Sequence, residues 1–316
     1  MPFQPARLGL HFEIVTLAAT EDSSRSFLMT KQILKSSQNC DACNNPMVLS
    51  PCAASKSADL YIWKCGRPCK KTKSVRSGSV LGGSNLPFQH FLLLIYYFSS
   101  KSLTNVEISA YTGISEKSVG EWRASLTGFI SSWLLANATP LGGPGVVVEI
   151  DEAKFGKRKY HRGNYREGMW VLGGVDRSTN QCFLIPCPNN QRGADVLLPL
   201  IQRWVLPGSI VYTDEWGGYN QLTARGYTHD TVNHTIQFVD PATGVNTNMQ
   251  EGLWYHVKKK MTGCKNLDDV LIDFMFRRRF NATSGIEQIA NTFNGYLTVL
   301  RADWFILTMY VFNVIF

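Results

Sequence analysis

The sequence lacks the long apolar runs that membrane helices need. No stretch reaches the roughly 18 consecutive apolar residues of a membrane-spanning helix. The longest apolar segments, Phe91–Phe98 and Trp304–Phe316, are short, and Asn313 interrupts the second. The N-terminus also lacks a basic segment followed by an apolar core, which is the pattern of a secretory signal. We therefore expect no membrane span and no secretion, with the two apolar segments forming buried helices.

Acidic residues are fewer than basic ones. The chain has 24 Asp and Glu against 32 Lys and Arg, which gives a net charge of +8 and a pI near 9.0. A basic balance favours an acidic partner, and nucleic acid is the commonest such partner. The length of 316 residues is enough for two or three domains with a sizeable core.

The eight cysteines are unevenly placed, and five of them fall between Cys40 and Cys69. Clustered cysteines without a secretory signal favour metal binding over disulfides. Cys40 and Cys43 form one closely spaced pair, and Cys65 and Cys69 form another. Two such pairs can supply four thiolates to a tetrahedral Zn²⁺ ion, which would stabilise a module too small to have its own core. Cys52 is an alternative ligand, and a set of unliganded thiols is the competing interpretation.

A segment rich in glycine and proline, Ala138–Gly145, predicts a linker between a helical part and a part with α/β patterning. Downstream of it, β-branched runs predict strands, and longer periodic segments predict helices. The predicted strands are 146–150, 169–175, 182–186 and 209–213, and the predicted helices are 194–204 and 249–261.

Two aspartates, Asp151 and Asp214, directly follow predicted strands. Carboxylates at the ends of buried strands are held by rigid backbone, which suits metal ions that need hard oxygen ligands in fixed positions. Glu251, on the next predicted helix, is the best candidate for a third ligand. Three carboxylates can bind two Mg²⁺ ions roughly 3.5–4 Å apart for in-line displacement at a phosphate.

Spacing alone leaves other interpretations of these acids open. An aspartate after a strand is often a helix cap or a turn residue. Glu152 and Glu215 directly follow the two aspartates and are alternative ligands, although alternation along a strand would point them to the opposite face. His229 and His234 could position a phosphate or a water, but a structural role is favoured for each.

Three segments around the acids resemble the catalytic motifs of Merlin-superfamily transposases and of the related ISXO-like insertion-sequence transposases. The first is Val148–Glu152 with Lys154–Lys157, the second is Val211–Tyr219, and the third is Asn246–Trp254. The resemblance spans about residues 29–280. Three motifs in the family's order, with a cysteine module upstream, make it specific.

The resemblance implies an α/β protein with an RNase H-like catalytic domain, in which helices flank a mixed sheet. It implies metal-dependent cleavage of DNA at the ends of a mobile element and transfer of those ends to target DNA. Asp151, Asp214 and Glu251 would be the catalytic acids and would hold two Mg²⁺ or Mn²⁺ ions. The expected partner is double-stranded DNA, both terminal inverted repeats and target, bound by a homo-oligomer.

The family commonly carries a zinc ribbon where the cysteines lie, so the resemblance makes them ligands of a structural Zn²⁺. The wider spacing of the second pair departs from the tighter family pattern. The expected order is an N-terminal segment with partial disorder or a short helix, a zinc-ribbon-like module, a helix-turn-helix-like segment, the catalytic domain and a C-terminal helical segment. Their expected boundaries are 1–28, 29–80, 86–137, 146–285 and 286–316.

Leu103–Trp122 has the pattern of a helix-turn-helix. Gly113 permits the sharp turn, and Ser115 is a good N-cap for the second helix. Lys117 and Ser118, in the first turn of that helix, would face DNA. A helical hairpin that makes no DNA contact is the alternative.

Basic residues near the acids are candidate phosphate ligands. Phosphate contacts position DNA without reading its sequence. A solvated loop is the alternative for residues 157–166. The candidates are Lys154, Lys157, Arg158, Lys159, Arg162, Lys258 and Lys259.

An active transposase is the leading hypothesis, because all three acids are present. The alternative is a domesticated or degenerate descendant that binds DNA without catalysis. A nuclease acting on RNA or hybrids is a third hypothesis, which the zinc-ribbon and helix-turn-helix patterns disfavour. Access to DNA implies the nucleus in a eukaryote, or the cytoplasm and nucleoid in a bacterium. The sequence ends within the apolar stretch 310–316, which favours a shortened coding sequence.

Overall fold

A computed structural model describes residues 5–99, 103–156, 168–232, 245–261, 266–280 and 287–301. The chain divides into two compact units. The first unit extends to Ala136 and includes the C-terminal helix Glu287–Arg301, and the second unit begins at Asn137. Within these described ranges, every helix is too short or too polar to cross a membrane.

The N-terminal segment is helical. Thr20 begins the second of its two helices, because its hydroxyl accepts a hydrogen bond from the Ser23 N–H at 3.1 Å. Leu28 in the same helix is fully buried, so the segment contributes to a core. The structure describes this segment as helical from Pro5 onward, which is one of the two alternatives expected for it. The helices are α1 (Pro5–Leu17) and α2 (Glu21–Thr30).

The cysteine-rich segment forms a small antiparallel sheet. Its strands lie in the order β1 (Val48–Pro51), β2 (Tyr61–Lys64), β3 (Thr72–Ser74). The central strand places Trp63 opposite Leu49 on one side and Lys73 on the other. Trp63 and Met47 are buried against the cysteines in a small apolar cluster. Since this cluster is small, the module has little hydrophobic stabilisation of its own.

Helices make up the rest of the first unit: α3 (Phe88–Ser99), α4 (Asn105–Thr112), α5 (Glu116–Ala136) and the C-terminal helix. The ring of Phe91 in α3 lies 5.1 Å from that of Trp122 in α5. Tyr96, also in α3, lies 6.4 Å from Phe293 of the C-terminal helix. α3 therefore packs against neighbours on more than one side, and the apolar segment Phe91–Phe98 is a buried helix as predicted.

α4 and α5 are joined by a tight turn. Thr104 begins α4 with a reciprocal capping box. Gly113 ends α4 with a φ of 72°, a left-handed conformation that favours glycine. Ser115 caps α5, because its Oγ accepts the Ser118 N–H at 3.2 Å. The local structure predicted for Leu103–Trp122 is confirmed, while its contact with DNA stays a prediction.

The main sheet of the second unit has a mixed strand order, β10-β9-β5-β6-β7. Its members are β5 (Val147–Phe155), β6 (Met169–Asp176), β7 (Cys182–Pro186), β9 (Ile210–Asp214) and β10 (Thr228–Val232), and β4 (Leu141–Gly142) and β8 (Val205–Leu206) form a separate pair. β5, β6 and β7 form an antiparallel meander. β9 pairs in parallel with β5, and β10 pairs in parallel with β9. A meander followed by two parallel strands on its first edge is RNase H-like, which confirms the predicted fold class.

Alternation along β5 separates two apolar layers. Val148 and Ile150 face a core built with α6 (Ala194–Trp204). Ala153 and Phe155 face a second core built with α7 (Asn248–Met261) and α8 (Leu267–Phe280). Asp151 lies two residues before Ala153 and four before Phe155, so it shares their face of β5 and its side chain points toward α7.

The segment predicted as a linker is bound to the second unit. β4 pairs in parallel with β8, and the Gly143 N–H donates to Ser209 Oγ at 2.8 Å. Gly142 has a φ of 81°, and a Cβ added there would lie 2.2 Å from Ser209 Oγ. The glycine at this position therefore serves close packing of the backbone rather than a free connection.

Candidate active site

Asp151 lies inside β5, whereas the sequence pattern placed it after the strand. The pairing between β5 and β9 ends at Glu149 opposite Tyr212. The pairing between β5 and β6 continues, with Asp151 opposite Gly173. β5 is therefore longer than its apolar run. It continues past Glu149 because it still pairs with β6 after its pairing with β9 has ended.

Asp151 is held by two hydrogen bonds and sits in a negative environment. Its Oδ2 accepts the indole N–H of Trp254 at 3.0 Å, and its Oδ1 accepts the Glu152 N–H at 2.8 Å. Burial, together with the charges of Glu152 and then Asp214, raises the pKa of Asp151 from 3.8 to about 7. The negative charges of Glu152 and Asp214 thus act on Asp151 in the folded chain, and a cation beside them would relieve this repulsion.

Asp214 is the last residue of β9, whereas the sequence pattern placed it directly after the strand. Its Oδ1 accepts the Trp216 N–H at 3.0 Å, which fixes the carboxylate across the turn. The preceding Thr213 places its hydroxyl 2.9 Å from His229 Nε2 on β10. Burial lowers the pKa of His229, so its neutral form is favoured. A hydrogen-bonded partner at the strand end gives His229 the structural role that was favoured for it.

Glu251 lies in the first turn of α7. It lies one helical turn before Trp254, so both side chains project from the same side of the helix. Trp254 in turn contacts Asp151 directly. Among the described residues, only four cysteines form a group of three or more candidate ligands whose ligand atoms all lie within 4.8 Å of one another. The three acids are therefore on neighbouring elements but stand farther apart than that as a set.

Gly173 allows α7 to approach the sheet. A Cβ at this position would lie 2.2 Å from Gln250 Nε2 and 2.7 Å from the ring of Trp254. We expect Gly173→Ala to destabilise the protein by about 1–3 kcal/mol, because it overpacks this contact. The control is Gly252→Ala, which lies in α7, the helix that packs on Gly173. Its added Cβ would have nothing within 4 Å. It should stabilise the protein by roughly 0.5–1 kcal/mol, as alanine does in a helix interior. Urea unfolding measures both, and equal effects of the two variants would contradict the contact.

Glu152, one of the alternative ligands, is hydrogen-bonded to Arg192 and Tyr219 instead. It points to the opposite face of β5, where Arg192 Nη1 donates to its Oε1 at 2.8 Å. The hydroxyl of the fully buried Tyr219 donates to its Oε2. The other alternative, Glu215, is exposed on the turn after Asp214. The alternation argument therefore placed Glu152 correctly.

Arg192 is a site residue that the sequence did not reveal. Its guanidinium lies 4.3 Å from the ring centroid of Trp170 and 4.1 Å from that of Trp216. The Trp216 indole N–H also donates to the Arg192 carbonyl at 3.2 Å. Because Arg192 also pairs with Glu152, it joins the turn after Asp214 to β5. A sequence pattern could not identify Arg192, because it is a single arginine in a loop and its three partners are distant in sequence.

The predicted DNA-binding residues fall in both units. Lys154 lies on β5 with its Nζ 5.5 Å from the Trp170 ring centroid. Lys258 and Lys259 are exposed on α7, after Glu251. Lys117 is exposed and lies 3.8 Å from Glu121, which offsets part of its charge. Ser118 is half-buried beside it. Lys157, Arg158, Lys159 and Arg162, as well as His234, lie outside the described residues.

The second candidate site is the group of four cysteines. Cys40 Sγ lies 3.6 Å from Cys69 Sγ, and Cys43 Sγ lies 3.4 Å from Cys65 Sγ. Hydrogen bonds from the backbone N–H groups of Ala42 and Cys43 lower the pKa of Cys40 to about 6. The four thiols are therefore arranged to hold a metal ion, with one of them predisposed to ionise.

Both cysteine pairs sit on tight turns. Asn44, with a φ of 55°, follows the first pair, and its N–H donates to the Cys40 carbonyl at 2.8 Å. Lys70, also with a φ of 55°, follows the second pair, and its N–H donates to the Gly66 carbonyl at 3.0 Å. The wider spacing of the second pair is thus accommodated in a turn of the same kind. Cys52, the alternative ligand, is not in the group.

Comparison with known proteins finds similarity to transposases. Residues 139–266 match the family model described as the ISXO2-like transposase domain. An uncharacterized transposase-like protein of Haemophilus influenzae is 33% identical over 82 residues. That match covers 25% of this chain and 61% of the relative, so the chain spans about three fifths of that relative's length.

Solved structures similar to this chain include two retroviral integrase cores. The catalytic core domain of HTLV-2 integrase, in complex with magnesium, is 12% identical with a TM-score of 0.28. The match covers 42% of this chain and 84% of that one. The catalytic core domain of BIV integrase is 15% identical with a TM-score of 0.30, covering 44% of this chain and 85% of that one. The fold class itself rests on the strand order of the sheet.

Proposed function

We propose that this chain, in which residues 139–266 match the model of the ISXO2-like transposase domain family, is a DDE transposase that cleaves DNA at the ends of a mobile element and joins them to target DNA. Asp151, Asp214 and Glu251 are its catalytic acids. Two Mg²⁺ or Mn²⁺ ions held by them would activate the attacking oxygen and stabilise the leaving oxygen.

One observation carries this proposal: two half-buried aspartates on adjacent strands stand close together where β9 leaves β5. Burial and the neighbouring charges raise the pKa of Asp151 to about 7. Two carboxylates in such a place repel each other unless a cation or a proton lies between them. The donor set of hard oxygens fits Mg²⁺ or Mn²⁺.

The chain's own residues orient these acids. The Trp254 indole holds Asp151, and the Trp216 backbone N–H holds Asp214. Glu251 shares the side of α7 that carries Trp254. Lys258 and Lys259, further along α7, can bind phosphates on either side of the scissile bond. α7 therefore supplies one acid, one orienting group and two cations.

The first unit supplies DNA recognition and a structural metal site in this proposal. Cys40, Cys43, Cys65 and Cys69 bind one Zn²⁺, because four thiolates in a small module favour tetrahedral zinc. Lys117 and Ser118, at the exposed start of α5, contact DNA. Double-stranded DNA, as element ends and as target, is the partner, and the protein acts on it as a homo-oligomer.

A strand-transfer assay tests the function. The substrate is a duplex carrying the inverted repeats that flank the protein's own gene, with Mg²⁺ or Mn²⁺ present. Glu251→Gln should reduce strand transfer about 10³-fold, since metal ions contribute several kcal/mol to such transition states, while binding to the duplex persists. The matched control Glu215→Gln should leave transfer unchanged. Loss of transfer in Glu215→Gln, with transfer retained in Glu251→Gln, would show that the assignment of Glu251 as the third ligand is wrong. Wild-type protein that binds the duplex but never transfers strands would favour the non-catalytic alternative.

A further inference from the structure

Glu149 is a buried carboxylate that the proposed chemistry does not use. It lies on β5 two residues before Asp151 and has no solvent exposure. Its Oε1 accepts Arg177 Nε at 2.6 Å, and its Oε2 accepts the Gln250 N–H at 3.0 Å. Gln250 belongs to the first turn of α7, so the carboxylate joins the central strand to the start of that helix.

Arg177 completes this connection from the other side. It follows β6, and its Nη2 donates to the Asn246 carbonyl at 3.0 Å and to Asn246 Oδ1 at 2.8 Å. The same Oδ1 lies 3.3 Å from the Asn248 N–H at the first residue of α7. The guanidinium also lies 4.9 Å from the ring centroid of Tyr212 on β9. Arg177 therefore contacts elements from three places in the chain that meet at the candidate site.

The physical chemistry of this arrangement makes it rigid. A buried carboxylate is tolerated only when it is paired and hydrogen-bonded. A negative charge at the N-terminus of a helix is favourable, because the first backbone N–H groups have no partner within the helix. Glu149 meets both conditions through Arg177 and Gln250. Its two oxygens thus fix where α7 begins and how it is rotated about its axis.

Rotation of α7 decides where Glu251 points, because Glu251 directly follows Gln250. One residue of slippage turns an α-helix by about 100°, which would carry the side chain away from Asp151. We propose that Glu149 and Arg177 are positioning residues, which anchor the start of α7 so that Glu251 joins Asp151 and Asp214 in holding the catalytic metal ions. This inference rests on the proposed function, since it concerns the same metal site.

The test is the affinity of the full-length protein for Mn²⁺, followed by electron paramagnetic resonance of the free ion. Arg177→Gln and Glu149→Gln should each weaken Mn²⁺ binding by at least about tenfold, the usual effect of removing a group that orients a metal ligand. Arg177→Lys keeps the charge but cannot make both bonds to Asn246, so its affinity should fall between wild type and Arg177→Gln. Strand transfer should follow the same order and recover in part at high Mn²⁺.

A second buried ion pair provides the control for general destabilisation. Arg76 Nη2 lies 2.5 Å from Asp59 Oδ1, and both side chains are buried in the first unit. Arg76→Gln should lower thermal stability but leave Mn²⁺ binding at the carboxylates unchanged. If Arg177→Gln does not fold, the Mn²⁺ affinity of Glu149→Gln, which keeps the shape of the side chain, tests the positioning role instead.

Two failures are distinguishable. If Asp151→Asn does not weaken Mn²⁺ binding, the proposed metal site itself is wrong. If Asp151→Asn weakens binding while folded Glu149→Gln and Arg177 variants bind Mn²⁺ as wild type does, the positioning role is overturned and the proposed function stands. Weakening by Arg76→Gln equal to that by Arg177→Gln would also overturn the positioning role.

Discussion

Asp151→Asn should abolish strand transfer and at the same time make the metal-free protein more stable at pH 8. Burial and neighbouring carboxylates raise the pKa of Asp151 from 3.8 to about 7 in the folded chain. Ionising this group in the fold is therefore costly, and an amide removes that cost, although its NH2 group cannot accept one of the two N–H hydrogen bonds that the carboxylate accepts. We expect a rise in Tm of about 5 °C or more at pH 8, given that 1 kcal/mol shifts the Tm of a protein this size by roughly 2–4 °C.

The pH dependence has a definite sign. An acid whose pKa is raised on folding destabilises the fold as pH rises above its unfolded value, and the effect is complete above its folded value. The stabilisation by Asp151→Asn should therefore be small near pH 4 and should grow until about pH 7. Thermal unfolding without divalent ions at several pH values measures it. Asp230→Asn, at an exposed position on β10, is the matched control for the loss of one carboxylate.

Addition of Mg²⁺ gives the complementary result. The ion should raise the Tm of wild-type protein, because it binds the folded state and replaces the proton on the acids. It should raise the Tm of Asp151→Asn much less. A variant that transfers strands normally, or that is no more stable than wild type at pH 8, would contradict the role of Asp151.

Removal of zinc should unfold the cysteine module. The three-stranded sheet has only a small apolar cluster around Trp63, so most of its stability would come from the metal. Wild-type protein should contain one Zn²⁺ per chain. Cys65→Ser should lose the zinc and, with it, specific binding to the element ends, while the second unit stays folded.

Cys52 provides a control for the prediction that Cys65 is a zinc ligand. It lies within the module, directly after β1, but outside the group of four thiols, so Cys52→Ser should keep the full zinc content. Elemental analysis of both variants, with circular dichroism as the measure of folding, gives the result. Zinc retained by Cys65→Ser, or lost by Cys52→Ser, would reassign the ligands.

The sequence predicted the elements whose signals are local. α6 and β7 have the predicted bounds, because an apolar helix pattern ended by Pro207-Gly208 and a short strand after a turn are both visible in the chain. The cysteine pairs predicted a metal-binding group, and their four Sγ atoms do lie together. The mixed sheet that the family resemblance implied is also confirmed.

The contacts that complete the site could not be predicted in this way. Glu149, Arg177 and Asn246 meet although they are widely separated in sequence, and each looks ordinary in its own segment. The same holds for Glu152 and Arg192 on the opposite face. Such pairs depend on strand order and on where α7 docks, which are properties of the fold rather than of any window of residues. The assignment of Asp151, Asp214 and Glu251 as metal ligands stays a prediction.

The most direct test of that assignment is a crystal structure of the protein with Mn²⁺, in which anomalous scattering locates the ions. The account predicts one or two Mn²⁺ ions bound by carboxylate oxygens of Asp151, Asp214 and Glu251. Manganese that binds Asp151 and Asp214 with Glu152 or Glu215, while Glu251 stays apart, would contradict the account.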